Sequence, residues 1–328
     1  MSTPLPVGIL IPTRNAAALW RDHLPQLQQV IEVAEEVVVV DSESNDGTLE
    51  MFRTALHHPR LRFFARPPGL YASWNFGLAQ IGARHSYIAT AGDTTTPAGL
   101  RRLCDLATQF DADVMLSVPG FVDDAGAPQQ KKRWPIHDLL DDLKISAPAA
   151  LTRSQGFIAC VLQGASGIMG SSASNLYRTI VMQARPFATD FGHIGDTAWG
   201  TANSIGVRFA VTPDVCASFV LHEKVRPISV AEQTSIEDRL LAIARRSLRD
   251  ALASDSVPPD AAALEKVFDH FAALRASFRP AKDAYDTARK QNPLWILQPS
   301  VWRARRERNR IRRALRALWH DTLRDVCF

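Results

Sequence analysis

Residues 36–41 read EVVVVD, four β-branched side chains in a row with no polar alternation. A strand exposed on one face alternates apolar with polar, so an unbroken run requires cover on both faces, as in a parallel sheet between helix layers. Three further runs resemble it: Val7–Pro12 (VGILIP), Leu61–Arg66 (LRFFAR) and Ser86–Gly92 (SYIATAG). Helical segments separate them. Ala16–Ala34 places Leu19, Leu24, Leu27, Val30 and Ile31 on one apolar face, and LEMFRTAL and YASWNFGLAQIGA follow the next two runs. Four rounds of strand and helix predict a doubly wound, mostly parallel α/β sheet.

Beyond Met115 the pattern loosens. Gln129–Pro135 (QQKKRWP) reads as an exposed loop, Gly164–Asn175 is rich in Gly and Ser, and DFGHIGDTAWGTANSIG–VRFAVTP reads as a helix and then a strand. From about Val225 only helical patterns remain. This divides the chain into residues 1–225, with halves at 1–115 and 116–225, and a helical extension over 226–328. The net charge of +4 is uneven: residues 281–328 hold twelve Lys/Arg against five Asp/Glu, leaving 26 against 29 in the first 280. A mildly acidic body argues against nucleic-acid binding. The four cysteines (Cys104, Cys160, Cys216, Cys327) form no CxxC pair, which suits a reducing compartment better than a disulfide framework or zinc site. No signal-peptide pattern opens the chain and no apolar run approaches 18 residues, so the expected location is the cytoplasm.

In doubly wound sheets ligands lie at the carboxyl ends of the strands. Three polar clusters fall there: Thr13-Arg14-Asn15, Asp41–Asp46, and Gly92-Asp93-Thr94. IPTRNAAALW has no glycines after the first strand, which excludes the GxGxxG dinucleotide fingerprint.

Five motifs in order resemble the family 2 glycosyltransferases, which have the GT-A fold. They are IPTRN (Ile11–Asn15), VVVVDSESNDGT (Val37–Thr48), GLYASWNFGLAQIGA (Gly69–Ala83), TAGDTTTP (Thr90–Pro97), and SASNLYRTIVMQARPF with HIGDTAWGTANSIG and LHE. They cover about residues 7–223. The resemblance implies an inverting transferase that moves a sugar from a nucleotide diphosphate-sugar, with uridine the expected base, to a glycan or lipid-linked acceptor in cell-surface polysaccharide assembly. It implies that residues 1–115 hold the donor and 116–225 face the acceptor.

Carried over residue by residue, the resemblance assigns donor contacts to Pro12, Thr13, Asn15, Asp41, Ser44, Asn75, Gly92 and Asp93. Asp41 would accept the imide N–H of uracil; the competing reading is a loop cap, with Ser44 and Asp46 making local turn bonds. Asp93 would hold Mg²⁺ or Mn²⁺ on the diphosphate, with His222 as a second ligand or simply a hydrogen-bonded strand-end histidine. Thr90 replaces the first acid of the usual DxD pattern. Without a metal, Arg66, Arg178 or Lys224 would balance the phosphates. Asp196 matches the second acid of the family's Glu-Asp pair and is the expected base, while Gly195 replaces the first. Asp190 is the alternative base, with His193 near it, and Asp196 could instead be a helix N-cap. Trp74 is expected to pack as core.

The segment Trp302–Asp325 sets Ile311, Leu315, Leu318 and Thr322 on one face among arginines, with Trp295, Trp302 and Trp319 flanking or joining it. Such a helix suits peripheral contact, through residues 295–324, with the inner face of the cytoplasmic membrane. It equally suits packing on the body or on a second copy of the chain in a homodimer. Thr90 and Gly195 leave one rival open, a non-catalytic GT-A-like module that binds nucleotide or glycan.

Overall fold

The computed structural model describes residues 3–123, 126–129, 132–162, 167–221, 230–253, 261–291 and 298–325. The first half alternates as the sequence predicts: β1 (Leu5–Thr13), α1 (Ala17–Arg21), α2 (Leu24–Glu32), β2 (Ala34–Asp41), α3 (Thr48–Ala55), β3 (Leu61–Ala65), α4 (Leu70–Ala79) and β4 (His85–Ile88). There follow β5 (Thr94–Thr95), α5 (Pro97–Gln109), β6 (Val114–Val122), α6 (Pro135–Asp142), β7 (Ala149–Ala150), α7 (Arg153–Val161), β8 (Asn175–Arg178), α8 (Thr179–Ala184), α9 (Gly195–Asn203) and β9 (Phe209–Val220). Three helices close the chain: α10 (Val230–Leu252), α11 (Ala261–Gln291) and α12 (Pro299–Asp325).

The strands form one mixed sheet of order β3-β2-β1-β4-β8-β6-β9-β5, with β7 also on β9. Strands β3, β2, β1 and β4 are mutually parallel. Antiparallel β8 lies between β4 and β6, so β6 and its parallel neighbour β9 again point the same way. The carboxyl ends of β1, β2, β3, β4, β6 and β9 therefore share one edge. All four valines of β2 are fully buried. Val37 and Val39 join the cluster formed with Trp20, Ile31 and Phe52 from the α1–α3 layer. On the opposite face Val40 and Leu10 lie against Gly77 of α4.

Two boundaries differ from expectation. The single helix foreseen over residues 16–34 is split at Asp22–His23, because Pro25 has no N–H to donate and its ring crowds the carbonyl four residues back. The last strand runs on past VTP to Val220 because Pro213 and Asp214 are accommodated in a bulge between Thr212 and Val215.

The chain divides into two compact units, Met1–Ile243 and Ala244–Phe328. The first extends beyond residue 225 because Ile236, Leu240 and Ile243 of α10 pack on Phe191, Ile194 and Ala198. In the second unit the stripe of α12 is turned inward: Val301, Ile311, Trp319 and Leu323 are buried, as are Leu264, Phe268, Phe271 and Tyr285 of α11, on which α12 packs. Of the stripe read from the sequence, Ile311 and Thr322 are buried in this unit and Leu315 and Leu318 are half-buried.

At the amino edge of the sheet, burial pushes the His85 imidazole down to about 4, aided by the charges of Arg84 and Arg178. Between about pH 6.5 and 4 the unfolded chain binds a proton that the folded one refuses, so this contribution to stability is complete above 6.5 and lost as pH falls. Replacing His85 by Leu should make the decline in Tm between pH 6.5 and 4 shallower than in the parent protein, as read by calorimetry at stepped pH.

Candidate active site

Register places Thr13 directly beside Asp41 at the ends of β1 and β2. Both are buried, and the Thr13 hydroxyl and Asp41 Oδ1 have no hydrogen-bond partner among the described residues. Asp41 Oδ2 accepts from Ser44 N at 2.9 Å. The loops after the two strands are stitched together. Asn15 N donates to Ser44 Oγ and Asn45 N to Asn15 Oδ1, while Ala16 N and Ala17 N donate to Thr48 Oγ1 and Asp46 Oδ2. Asn15 adopts a positive φ of 46°, which asparagine tolerates better than most residues. Asn15 and Ser44 therefore hold the loops around Asp41, and the Ser44 N bond is the local turn bond of the loop-cap reading. Pro12 is buried in β1 opposite Val40.

Beyond β4, Thr90–Asp93 form a turn closed by Asp93 N on Thr90 O at 3.3 Å. Gly92, at φ 90°, occupies the position where a type II turn needs a residue without Cβ. The turn aims Asp93 into a set of donors: Thr90 Oγ1 at 2.8 Å and Ser171 Oγ at 3.4 Å on Oδ2, and Val220 N at 3.4 Å on Oδ1. Thr90, standing where the usual pattern has its first acid, thus donates to the carboxylate of Asp93.

The first turn of α4 links this edge to Asp196. Ser73 Oγ is 2.7 Å from Ser42 Oγ and 3.4 Å from Arg66 Nη1, and Arg66 N donates to Asp41 O. Two residues earlier, the Tyr71 hydroxyl donates to His193 O at 3.0 Å and also interacts with the Asp196 carboxylate. Burial pushes Asp196 up to about 6, against opposing hydrogen bonds from Thr197 N–H and the Tyr71 hydroxyl. The Thr197 bond is 2.7 Å long and comes from the next residue, not from the later backbone N–H groups that an N-cap engages. A carboxyl near 6 can exchange a proton at neutral pH. Gly195 has a steric cause: a Cβ there would lie 2.4 Å from the Tyr71 ring and 2.9 Å from Ala188 O.

Several expected residues take other places. Asn75 gives Nδ2 to Phe187 O and accepts Phe187 N on Oδ1, both at 2.8 Å, so its polar atoms clamp the loop before α9 rather than face a donor. Arg178 lies at the opposite edge of the sheet, paired with Asp111 and Asp113, too remote to balance a diphosphate. Arg66 is on the correct edge. Asp190 is exposed and ion-paired with Arg239, which also stacks over Phe191. Trp74 is buried among Tyr71 and Phe187, as core. His222, Lys224 and Trp295 lie outside the described residues. Sequence reading missed Tyr71, Ser73 and Ser171, whose roles depend on contacts 31 to 122 residues away. Among the described residues no three His, Cys, Asp or Glu side chains are grouped to hold a cation by themselves.

Residues 8–160 match the model of glycosyl transferase family 2. This stretch is a family 2 glycosyltransferase domain. The assignment covers β1 through α7, and with it Thr13, Asp41, Arg66 and Asp93. Among solved structures, S. aureus TarS 1-349 in complex with UDP-GlcNAc is similar at a TM-score of 0.55 and 17% identity, covering 97% of this chain and 89% of that one. Another structure of TarS 1-349 gives 0.51 and 19%, covering 76% of this chain and 66% of that one. TarS itself gives 0.55 and 16%, and there the match spans 94% of this chain but 54% of the other. These likenesses carry the GT-A fold. No curated protein matches the chain in sequence.

Gly195→Ala should lower stability by about 1–3 kcal/mol, the usual result of forcing a methyl into a filled space. Urea denaturation checks this, and Gly192→Ala, with nothing within 4 Å of its Cβ but a φ of 59°, is the control for backbone strain alone.

Proposed function

We propose that the chain transfers a sugar, with inversion, from a uridine diphosphate-sugar to a hydroxyl of a glycan or lipid-linked acceptor in cell-surface polysaccharide assembly. The observation that carries this reading is the pair of buried, unpartnered polar atoms at the carboxyl edge, Asp41 Oδ1 and Thr13 Oγ1. Buried polar atoms without partners are costly, and a uracil imide N–H and a ribose hydroxyl would satisfy both. The bound UDP-GlcNAc of the similar TarS structure is of this chemical class.

In this scheme Arg66 and Asp93 face the diphosphate. Asp93 is the described carboxylate suited to a divalent cation, since Mg²⁺ commonly binds through one carboxylate and takes its other ligands from phosphates and water. Such a cation supplies Lewis-acid stabilisation of the departing phosphate charge. The acceptor oxygen attacks the anomeric carbon as that carbon's bond to the phosphate oxygen breaks. The electron pair leaves with the nucleoside diphosphate, and the acceptor proton passes to Asp196. A carboxyl near 6 favours catalysis over the rival reading of a module that only binds.

The exposed side of α12 carries a second, separate reading. Arg303, Arg306, Arg310, Arg312, Arg313 and Arg316 are exposed there, with Glu307 paired to Arg310, and Trp302 is 41% exposed. Among the described residues no helix is long and apolar enough to cross a membrane. With Ile311, Trp319 and Leu323 buried, α12 would meet anionic lipid mainly through arginine charge, at the inner face of the cytoplasmic membrane. Changing Arg306, Arg310 and Arg313 to Glu should abolish co-sedimentation with phosphatidylglycerol vesicles, and 0.5 M salt, roughly a 4 Å screening length, should do the same to the parent.

Thermal shift with UDP-, GDP- and dTDP-sugars, with and without Mn²⁺, tests the donor. UDP-sugars at 100 times Kd should stabilise by about 2.7 kcal/mol, and Asp41→Ala should remove that shift. An equal response to GDP-sugars would overturn the uridine assignment. For the chemistry, Asp196→Asn should lower kcat for release of UDP by about 10²–10⁴-fold with little change in donor KM. In the parent kcat/KM should fall as pH drops through about 6, where Asp196 becomes protonated.

A further inference from the structure

The segment that delivers Asp196 is irregular. Gly192–Ile194 make one turn of 3₁₀ helix, closed by Ile194 N on Phe191 O at 3.3 Å, and α9 begins directly after it. Gly192 stands at φ 59° with nothing within 4 Å of where its Cβ would be, and Gly192 and His193 are exposed. The middle of the turn is thus unpacked, and its flanks are held from outside. On one side Tyr71 Oη donates to His193 O at 3.0 Å. On the other, Arg239 of α10 donates from Nη1 to Asp190 O at 3.0 Å, pairs through Nη2 with Asp190 Oδ2, and sets its guanidinium carbon 3.9 Å from the centre of the Phe191 ring. An ion pair this open, with the Asp190 side chain 70% exposed, adds little to stability by itself. Its geometry matters more. A planar fork on one residue and a stacked face on the next fix orientation as well as distance, which an ammonium group cannot do.

We propose that Arg239 is a positioning residue for the transfer: it latches the Asp190–Asp196 segment onto α10 and so sets where the Asp196 carboxylate stands against the acceptor oxygen. Asp190 is then the anchor of this latch, which accounts for an acid so near the site being committed to a guanidinium. A misplacement of about 1 Å in a reacting group can cost on the order of 100-fold in rate, so a weak contact can matter to catalysis while mattering little to folding. Ile236, Leu240 and Ile243 pack on Phe191, Ile194 and Ala198 independently of the guanidinium, so α10 stays docked when the latch is opened. The proposal rests on Asp196 being the base.

Hydrogen exchange read by mass spectrometry tests the latch without any substrate. In Arg239→Ala the amides of residues 190–197 should exchange about 10-fold faster, while those of β1 and β2 stay protected. Release of UDP from the UDP-sugar that stabilises the protein most should lose about 10–100-fold in kcat, with donor KM within about twofold. Arg239→Lys, which keeps the charge but not the fork, should fall between the two proteins. In an Asp196→Asn background Arg239→Ala should cost nothing further, because the two residues act as a unit. An unchanged kcat, a loss that appears only in KM, or additive losses in the double variant overturns the proposal. Should β1 and β2 lose protection in Arg239→Ala, Asp190→Asn, which weakens one contact of the three, carries the same test with smaller shifts in the same direction. If Asp196→Asn keeps full UDP release while exchange and kcat still respond to Arg239, the base assignment has failed and the latch has not.

Discussion

The parallel pairing of β1 with β2 is what the rest of the site depends on. Ile9 through Thr13 run in register with Val37 through Asp41, so one ladder fixes Thr13 against Asp41 and both against solvent. A shift of one residue would exchange valine for valine on the two covered faces, so the register is held by the residues flanking the run, above all buried Glu36 with its bonds from Gly82 N, Ala83 N and Arg62. Beyond the ladder the two loops bind one another through Asn15, Ser44, Asp46 and Thr48. Polar atoms that could have closed on Asp41 Oδ1 are thereby occupied elsewhere, and that buried oxygen is left without a partner among the described residues.

The opening of α4 extends that order across the molecule. Within three residues it contacts the β2 loop through Ser73 and the α9 region through Tyr71. The segment before β8 makes a parallel connection, with Gly167 against Thr197 and Ser171 against Asp93. Two short stretches, distant in sequence, thus tie the ends of β2 and β4 to the carboxyl at Asp196.

What could be read from the sequence was whatever a local pattern encodes. The valine run announces a strand covered on both faces, and the polar clusters announce the carboxyl edge, because both follow from alternation and sheet geometry. Pro25 breaks a helix whose apolar spacing is intact, a case in which a missing donor outweighs periodicity. Asn75 and Arg178 were misplaced for a common reason: a residue type suited to a ligand is equally suited to a backbone clamp or an ion pair, and partners 112 or 67 residues away decide which. The tail helix was read correctly as amphipathic, yet amphipathicity alone does not distinguish a lipid from a neighbouring helix.

The fit of the Tyr71 ring over Gly195 also bears on how this site can change over generations. An acidic side chain could enter position 195 by few nucleotide changes, yet the first such variant meets an aromatic ring where its Cβ must go. The ring would have to shrink beforehand, which surrenders the phenol. Any route toward a paired-acid site therefore descends through an intermediate lacking both features, and the two positions are expected to remain locked together as a single heritable choice.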